Sequence, residues 1–272
     1  MKVKNMVTPE QLQAIKQTVE KEFGRKVLAV FPVGSRTMDL VLPGSDLDLV
    51  VVVAPSLHDL FESSQFAGKL EGQDVTIKDV RSFVEMLKKQ NPGVLNILNN
   101  DVYLLDPDYS FLMDEIWRDF DVFRCTMSAL ATVKTDLKRA GAKPETAAKF
   151  LARCWYNLDV AKYLLQFEKY PRAKELEHAG AYIQVKKGNL AALGPLYGKD
   201  PAASMLKEAE NLMEEALNKK SSLRHASALD TSRIDSLLEN SFKKTLGELF
   251  WDGGHGAIDM DSPVQGDCDW PL

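Results

Sequence analysis

Two short β-branched runs dominate the first part of the chain, Lys26-Val-Leu-Ala-Val-Phe-Pro-Val33 and Leu49-Val-Val-Val-Val53. Continuous apolar runs of this length predict strands buried on both faces. Ahead of them Thr8-Pro9-Glu10-Gln11 joins an N-cap, a proline at the first helical position and an early acid, which predicts a helix reaching Phe23 and ended by Gly24. Pro55-Ser56 opens a short amphipathic segment carried by Leu57, Leu60 and Phe61. Gly72-Gln-Asp-Val-Thr-Ile-Lys78 then alternates with period two and predicts a strand beside the second run. Asp79 reads as the N-cap of a helix, because Val80, Phe83, Val84 and Leu87 follow it at helical spacing. Asn91-Pro92 stops that helix and starts another. Asp101-Val-Tyr-Leu-Leu-Asp106 predicts a last strand, closed by Pro107.

From about Ser110 the strand patterns stop and helical periodicity takes over. Residues 111–120 lead into a helix over 122–139, broken at Gly141 and Pro144. A longer one is expected over 146–169, with Phe150, Leu151, Cys154, Leu158, Ala161 and Leu165 as its apolar stripe. Further helices are expected near 172–187, 200–219 and 230–249. The fold class is therefore α+β: a small mixed sheet with flanking helices, residues 1–108, followed by an all-α domain, residues 109–250. Residues 251–272, rich in Gly, Asp and Pro, read as an irregular acidic tail.

Composition narrows the function classes. The formal charge is −5, but the last 21 residues hold five Asp and no Lys or Arg, so residues 1–251 balance at 34 basic against 34 acidic groups. No broad polyanion-binding surface is advertised, and any nucleic-acid contact has to be local. The absence of a long apolar run predicts no membrane span, and Met1-Lys-Val-Lys-Asn-Met lacks a signal-peptide core. Cys125, Cys154 and Cys268 are odd in number and widely spaced, which fits a reduced, cytoplasmic protein. His58, His178, His225 and His255 are scattered and suggest no site.

The candidate chemistry lies between the two apolar runs. Val33-Gly34-Ser35-Arg36 forms a turn, and Asp46-Leu47-Asp48 heads the second strand. Residues two apart in a strand share a face, so Asp46 and Asp48 project together while Leu47 packs on the other side. Neighbouring carboxylates repel unless a cation lies between them, and hard oxygens suit Mg2+ or Mn2+. Gly34 lets the backbone approach a ligand, and Ser35 offers a hydroxyl and an amide to phosphate. Arg36 either reaches those phosphates or is solvated. Turn chemistry after Pro43-Gly44-Ser45 accounts for Asp46 but not for a second carboxylate on the same face. Asp74, opening the neighbouring strand, is the candidate third carboxylate; the alternative is an ordinary strand-end aspartate.

Gly34-Ser35, ten residues, then Asp46-Leu47-Asp48 at the head of an apolar strand resembles the nucleotidyltransferase superfamily of DNA polymerase β. The resemblance implies a polymerase β-like sheet and a metal-dependent transfer of NMP from an NTP to an acceptor hydroxyl. Asp46, Asp48 and Asp74 would hold the metals, Asp74 doubling as base, with Gly34 and Ser35 on the β- and γ-phosphates. Residues 79–98 further resemble the RlaP-like branch associated with RNA repair, although an acidic residue often stands in that branch where Asn96 stands here. Lys149-Phe-Leu-Ala-Arg153, Tyr170-Pro171-Arg172 and Val185-Lys-Lys-Gly188 continue this likeness. Lys149 and Arg153, four apart, share a helical face that either binds phosphates or borders the core as a solvated stripe. The branch implies an RNA 3′-end as acceptor. A small molecule, a protein side chain, or a nucleotide-binding module without turnover are the alternatives.

Overall fold

A computed structural model describes residues 7–42, 45–54, 65–98, 103–110, 120–224, 235–236, 238–240 and 243. Helix α1 (Pro9–Phe23) starts where the capping signals lie. Thr8 Oγ1 accepts the Gln11 N–H at 3.2 Å and the Gln11 side chain accepts the Thr8 N–H at 3.0 Å. Gly24, with φ of 61°, ends the helix in the left-handed conformation.

Five strands form one sheet among the described residues: β1 (Val27–Pro32), β2 (Asp48–Val53), β3 (Gln65–Leu70), β4 (Gln73–Asp79) and β5 (Leu104–Leu105). Their order is β3-β4-β2-β1-β5, with β2 and β4 parallel and the other neighbours antiparallel. The sheet is covered on both sides, which is why β1 and β2 read as unbroken apolar runs. Val30, Leu49, Val51, Val53, Val75 and Ile77 pack on Ile15 and Val19 of α1. Leu28, Phe31, Val50 and Val52 face the larger core, shared with α2 (Val80–Lys88), α3 (Pro92–Leu98), α4 (Val122–Ala142) and α5 (Ala147–Phe167). That phase decides the chemistry, because Asp48 is in step with Val50 and Val52 and so points towards the helices.

Three expectations are corrected. No strand was foreseen at β3, yet it pairs with β4 along its length. Gln65-Phe-Ala-Gly-Lys-Leu70 is a weak pattern interrupted by Gly68, and it lies at the sheet edge. Its place is set by hydrogen bonds from β4 and by the Glu71-Gly72 turn, where φ is 49° and 76°, the handedness that suits a two-residue hairpin. The single helix expected over 172–187 is instead one 3-10 turn, Ala173–Glu175, and a short α6 (Ala181–Lys186). The Glu175 carboxylate accepts the Arg172 N–H at 2.6 Å, and Gly180 at φ 88° interrupts the helical path. A short α7 (Gly194–Tyr197) and the expected α8 (Pro201–Asn218) follow. The last strand is also shorter than expected, confined to Leu104–Leu105, with Asp101 and Val102 outside the described residues. The segment around Leu57, the lead-in over 111–119, most of the helix expected over 230–249, and the tail also lie outside them.

The helical region is tied to the sheet region through buried polar contacts as well as the shared core. Asn96 Oδ1 on α3 accepts the hydroxyls of Tyr156 (2.8 Å) and Tyr170 (3.0 Å). Tyr170→Phe leaves that buried oxygen one donor short, and about 1 kcal/mol of stability is expected to be lost, read as a lower urea midpoint. His178, left without a role from sequence, meets Asp159 at 2.7 Å within the helical core. Cys125 and Cys154 are buried free thiols. Among the described residues no helix is long and apolar enough to cross a membrane.

Candidate active site

After Pro32 the chain turns at once into a single 3-10 turn, Gly34–Arg36. Gly34 has φ of 67°, and a Cβ there would come within 2.6 Å of Asp48 Oδ2. The missing side chain is what allows the carboxylate to lie against the turn. The turn is closed by Thr37 Oγ1 donating to Gly34 O (3.0 Å) and by Leu40 N–H donating to Ser35 O (2.7 Å). Gly34→Ala combines a left-handed backbone with that collision. About 1 kcal/mol of stability is expected to go to the backbone alone, measurable by thermal unfolding.

Asp48 heads β2, and the parallel register puts Asp74 directly opposite it on β4. Leu47 and Leu49 are buried against α1, so Asp46 and Asp48 face the other way, towards the side also taken by Asp74 between Gln73 and buried Val75. Burial, then repulsion from Asp74, with a smaller push from Asp46, raises the Asp48 carboxyl above its ordinary range, while Lys149 and Lys186 pull it down. Asp46 itself is exposed. Asp74 is half-buried, with Lys69 Nζ 3.8 Å from its carboxylate. Asp79 is committed elsewhere: it is fully buried and caps α2, accepting from the Ser82 N–H at 2.9 Å and the Ser82 hydroxyl at 2.5 Å.

A cavity of 710 Å³ opens between this sheet edge and the helices, within the usual range for small-molecule sites. Gly34, Ser35 and Asp48 line it on the sheet side, and Lys149 and Arg153 of α5 line it opposite. The cationic face of α5 therefore meets the Gly-Ser turn across one space. Arg36 is not on that wall; it is half-buried and its Nε is enclosed without a hydrogen-bond partner. Asp46 and Asp74 also lie outside the wall, next to Asp48.

Lys186 is the residue that sequence reasoning missed. From the end of α6 its Nζ donates to Ser35 Oγ at 2.6 Å and to Leu40 O at 2.7 Å. Burial, then the neighbouring Lys149, lowers its pKa below the usual ammonium value, and Asp48 opposes this. The Val185-Lys-Lys-Gly188 string was visible, but nothing local separates Lys186, which turns inward, from exposed Lys187.

Among the described residues no three carboxylate, histidine or cysteine groups converge into a ready cage for a metal ion. Mg2+ does not require one, since it is commonly held by one or two carboxylates together with substrate phosphates and water. Hard oxygens on one sheet face, with Asp48 raised in pKa by burial and then by its acidic neighbours, fit such an ion.

Residues 12–100 match the family model for the nucleotidyltransferase domain, of polymerase β-like type. This part of the chain carries the nucleotidyltransferase domain. Among solved structures, a nucleotidyltransferase-like protein from Exiguobacterium sibiricum 255-15 is 13% identical, with 86% of this chain and 91% of that one covered and a TM-score of 0.31. No curated protein matches the chain.

Proposed function

We propose that the chain transfers NMP from an NTP to the 3′-hydroxyl of an RNA strand, as an end-repairing or end-modifying enzyme of the RlaP-like kind. The observation that carries the transfer reading is the cavity lined by Gly34, Ser35 and Asp48, with Lys186 against Ser35 and Lys149 on α5. A triphosphate needs both: donors and cations for its oxygens, and acids for its accompanying metal. In this reading Ser35 and the Gly34 turn hold the β- and γ-phosphates, while Lys149 and Lys186 neutralise charge on the departing pyrophosphate. Asp46, Asp48 and Asp74 would hold Mg2+ or Mn2+. Bound there, divalent ions supply Lewis-acid polarisation of the α-phosphate and a lower pKa for the acceptor hydroxyl. The acceptor oxygen forms a bond to the α-phosphorus, the bond to the pyrophosphate oxygen breaks, and Asp74 takes up the hydroxyl proton.

The RNA assignment is supported by the RlaP-like pattern running from residue 79 to residue 188. Charge balance over residues 1–251 favours a second reading, a small-molecule acceptor that needs no extended basic surface. The deciding experiment supplies α-labelled NTP and Mg2+ with either a 3′-hydroxyl oligoribonucleotide or a metabolite fraction. Label on the oligonucleotide with matching pyrophosphate release is expected. Label confined to metabolites would replace the RNA reading, and no pyrophosphate from any NTP would overturn transfer itself.

A further inference from the structure

The cations around the cavity fall into two sets. Lys149 and Lys186 act on Asp48 and on one another, next to Ser35. One turn further along α5, Arg153 is instead held by Asp136 of α4, its guanidinium 3.1 Å from Oδ2, and Arg139 lies 3.6 Å from Oδ1. Asp136 has no solvent exposure, yet it borders the cavity together with both arginines. A buried carboxylate is costly unless opposite charges surround it, so two guanidiniums beside one carboxylate explain its presence. The converse matters more. One carboxylate cannot neutralise two arginines, and neither Asp136 oxygen takes up a well-aligned hydrogen bond. Guanidinium donors therefore remain for a ligand. Arg153 is steadied further by the Phe150 ring, 5.9 Å from its guanidinium carbon.

We propose that Arg139 and Arg153, positioned by Asp136, form a subsite for a phosphate group of the acceptor, separate from the Ser35–Lys186 end that takes the NTP phosphates. The proposal rests on the transfer reading above and names the acceptor class: a molecule with a phosphate near its attacking hydroxyl, as in the last phosphodiester of RNA. Two convergent guanidiniums match phosphate oxygens in geometry and charge. A polycationic acceptor would meet like charge there.

The test uses the full chain loaded with a non-hydrolysable NTP analogue and Mg2+, titrated with a short 3′-hydroxyl oligoribonucleotide at several salt concentrations. Arg139→Gln is the probe, since its side chain is 56% exposed and Arg153 still faces Asp136 in the variant, whose folding is checked by thermal unfolding. Lys138→Gln, the next residue along α4 and absent from the cavity wall, is the control. Arg139→Gln is expected to weaken oligonucleotide binding about tenfold and to lower the slope of log affinity against log salt by about 0.7, the value for one single-strand phosphate. Affinity for the NTP analogue should stay unchanged, and Lys138→Gln should behave as wild type. Wild-type affinity and salt slope in Arg139→Gln would overturn the subsite. The two failures separate cleanly. RNA labelled equally well by wild type and Arg139→Gln removes the subsite and keeps the RNA reading. RNA that is never labelled, but binds with the reduced salt slope in Arg139→Gln, removes the RNA reading and keeps the subsite.

Discussion

Replacing Asp46 and Asp48 together by Asn is expected to abolish nucleotidyl transfer while leaving the fold intact. Several kcal/mol of transition-state stabilisation depend on divalent ions held by these carboxylates, so the loss should reach about 10³-fold or more. Asn keeps the size and much of the hydrogen bonding but removes the negative charge that holds a hard cation. The fold should survive because the strand is held by Leu47, Leu49 and Val51 on one side and Val50 and Val52 on the other, and neither Asp contributes to those cores. The stability consequence has a definite sign. The folded state raises the Asp48 pKa, so the ionised carboxylate is disfavoured in the folded protein relative to the unfolded chain. That penalty is absent below the unfolded pKa, grows as pH rises through the carboxylate range, and is constant above the folded pKa. In metal-free buffer the double variant should therefore unfold at the same temperature as wild type or higher at neutral pH. The difference should vanish as pH falls through the carboxylate range. Mg2+ with NTP should raise the midpoint of wild type only. Retained transfer in the variant, or a midpoint response to Mg2+ equal to that of wild type, would contradict the metal assignment.

Lys186→Met is expected to raise KM for NTP by about 10- to 100-fold, the range for losing a charge-assisted hydrogen bond. The methionine fills much of the same space, so the change isolates the ammonium. In the wild type that ammonium donates to Ser35 Oγ and Leu40 O, which leaves the Ser35 hydroxyl proton available to a phosphate oxygen. It also bridges α6 to the Gly34–Arg36 turn, so nucleotide binding and the placement of the helical region are read through one side chain. Lys186→Arg keeps the charge but cannot reproduce both contacts, because a planar guanidinium does not fit where a compact ammonium bridges two oxygens. Its KM should lie nearer to that of the methionine variant than to wild type. Steady-state kinetics with NTP varied at saturating acceptor checks this; an unchanged KM in Lys186→Met would remove the lysine from the nucleotide site.

The parts of the site that sequence reasoning reached are those where local rules act. Period-two alternation put Asp46 and Asp48 on one face, and the same rule made Leu47 a core residue, as its burial against α1 bears out. Capping chemistry separated Asp79 from Asp74: the first is held by Ser82 at the start of α2, and the second stands across from Asp48. Helical spacing placed Lys149 and Arg153 together but left open whether they faced solvent or ligand. Only the packing of α5 opposite the Gly-Ser turn brings them to the cavity. For Arg36 the sequence left two readings, phosphate contact or solvation, and the structure places it half-buried and outside the cavity lining.

Sequence alone determined the α+β order, the helix caps, the acid pair and the Gly34-Ser35 turn, because each is written within a few neighbouring residues through φ/ψ preference, side-chain period or cap hydrogen bonds. Tertiary structure decided the rest: the β3 edge strand, the break before α6, the reach of Lys186 across 151 positions to Ser35, and the Arg139–Asp136–Arg153 cluster. These depend on which surfaces come to face one another after packing, and residues that meet only then carry no signal of their meeting along the chain.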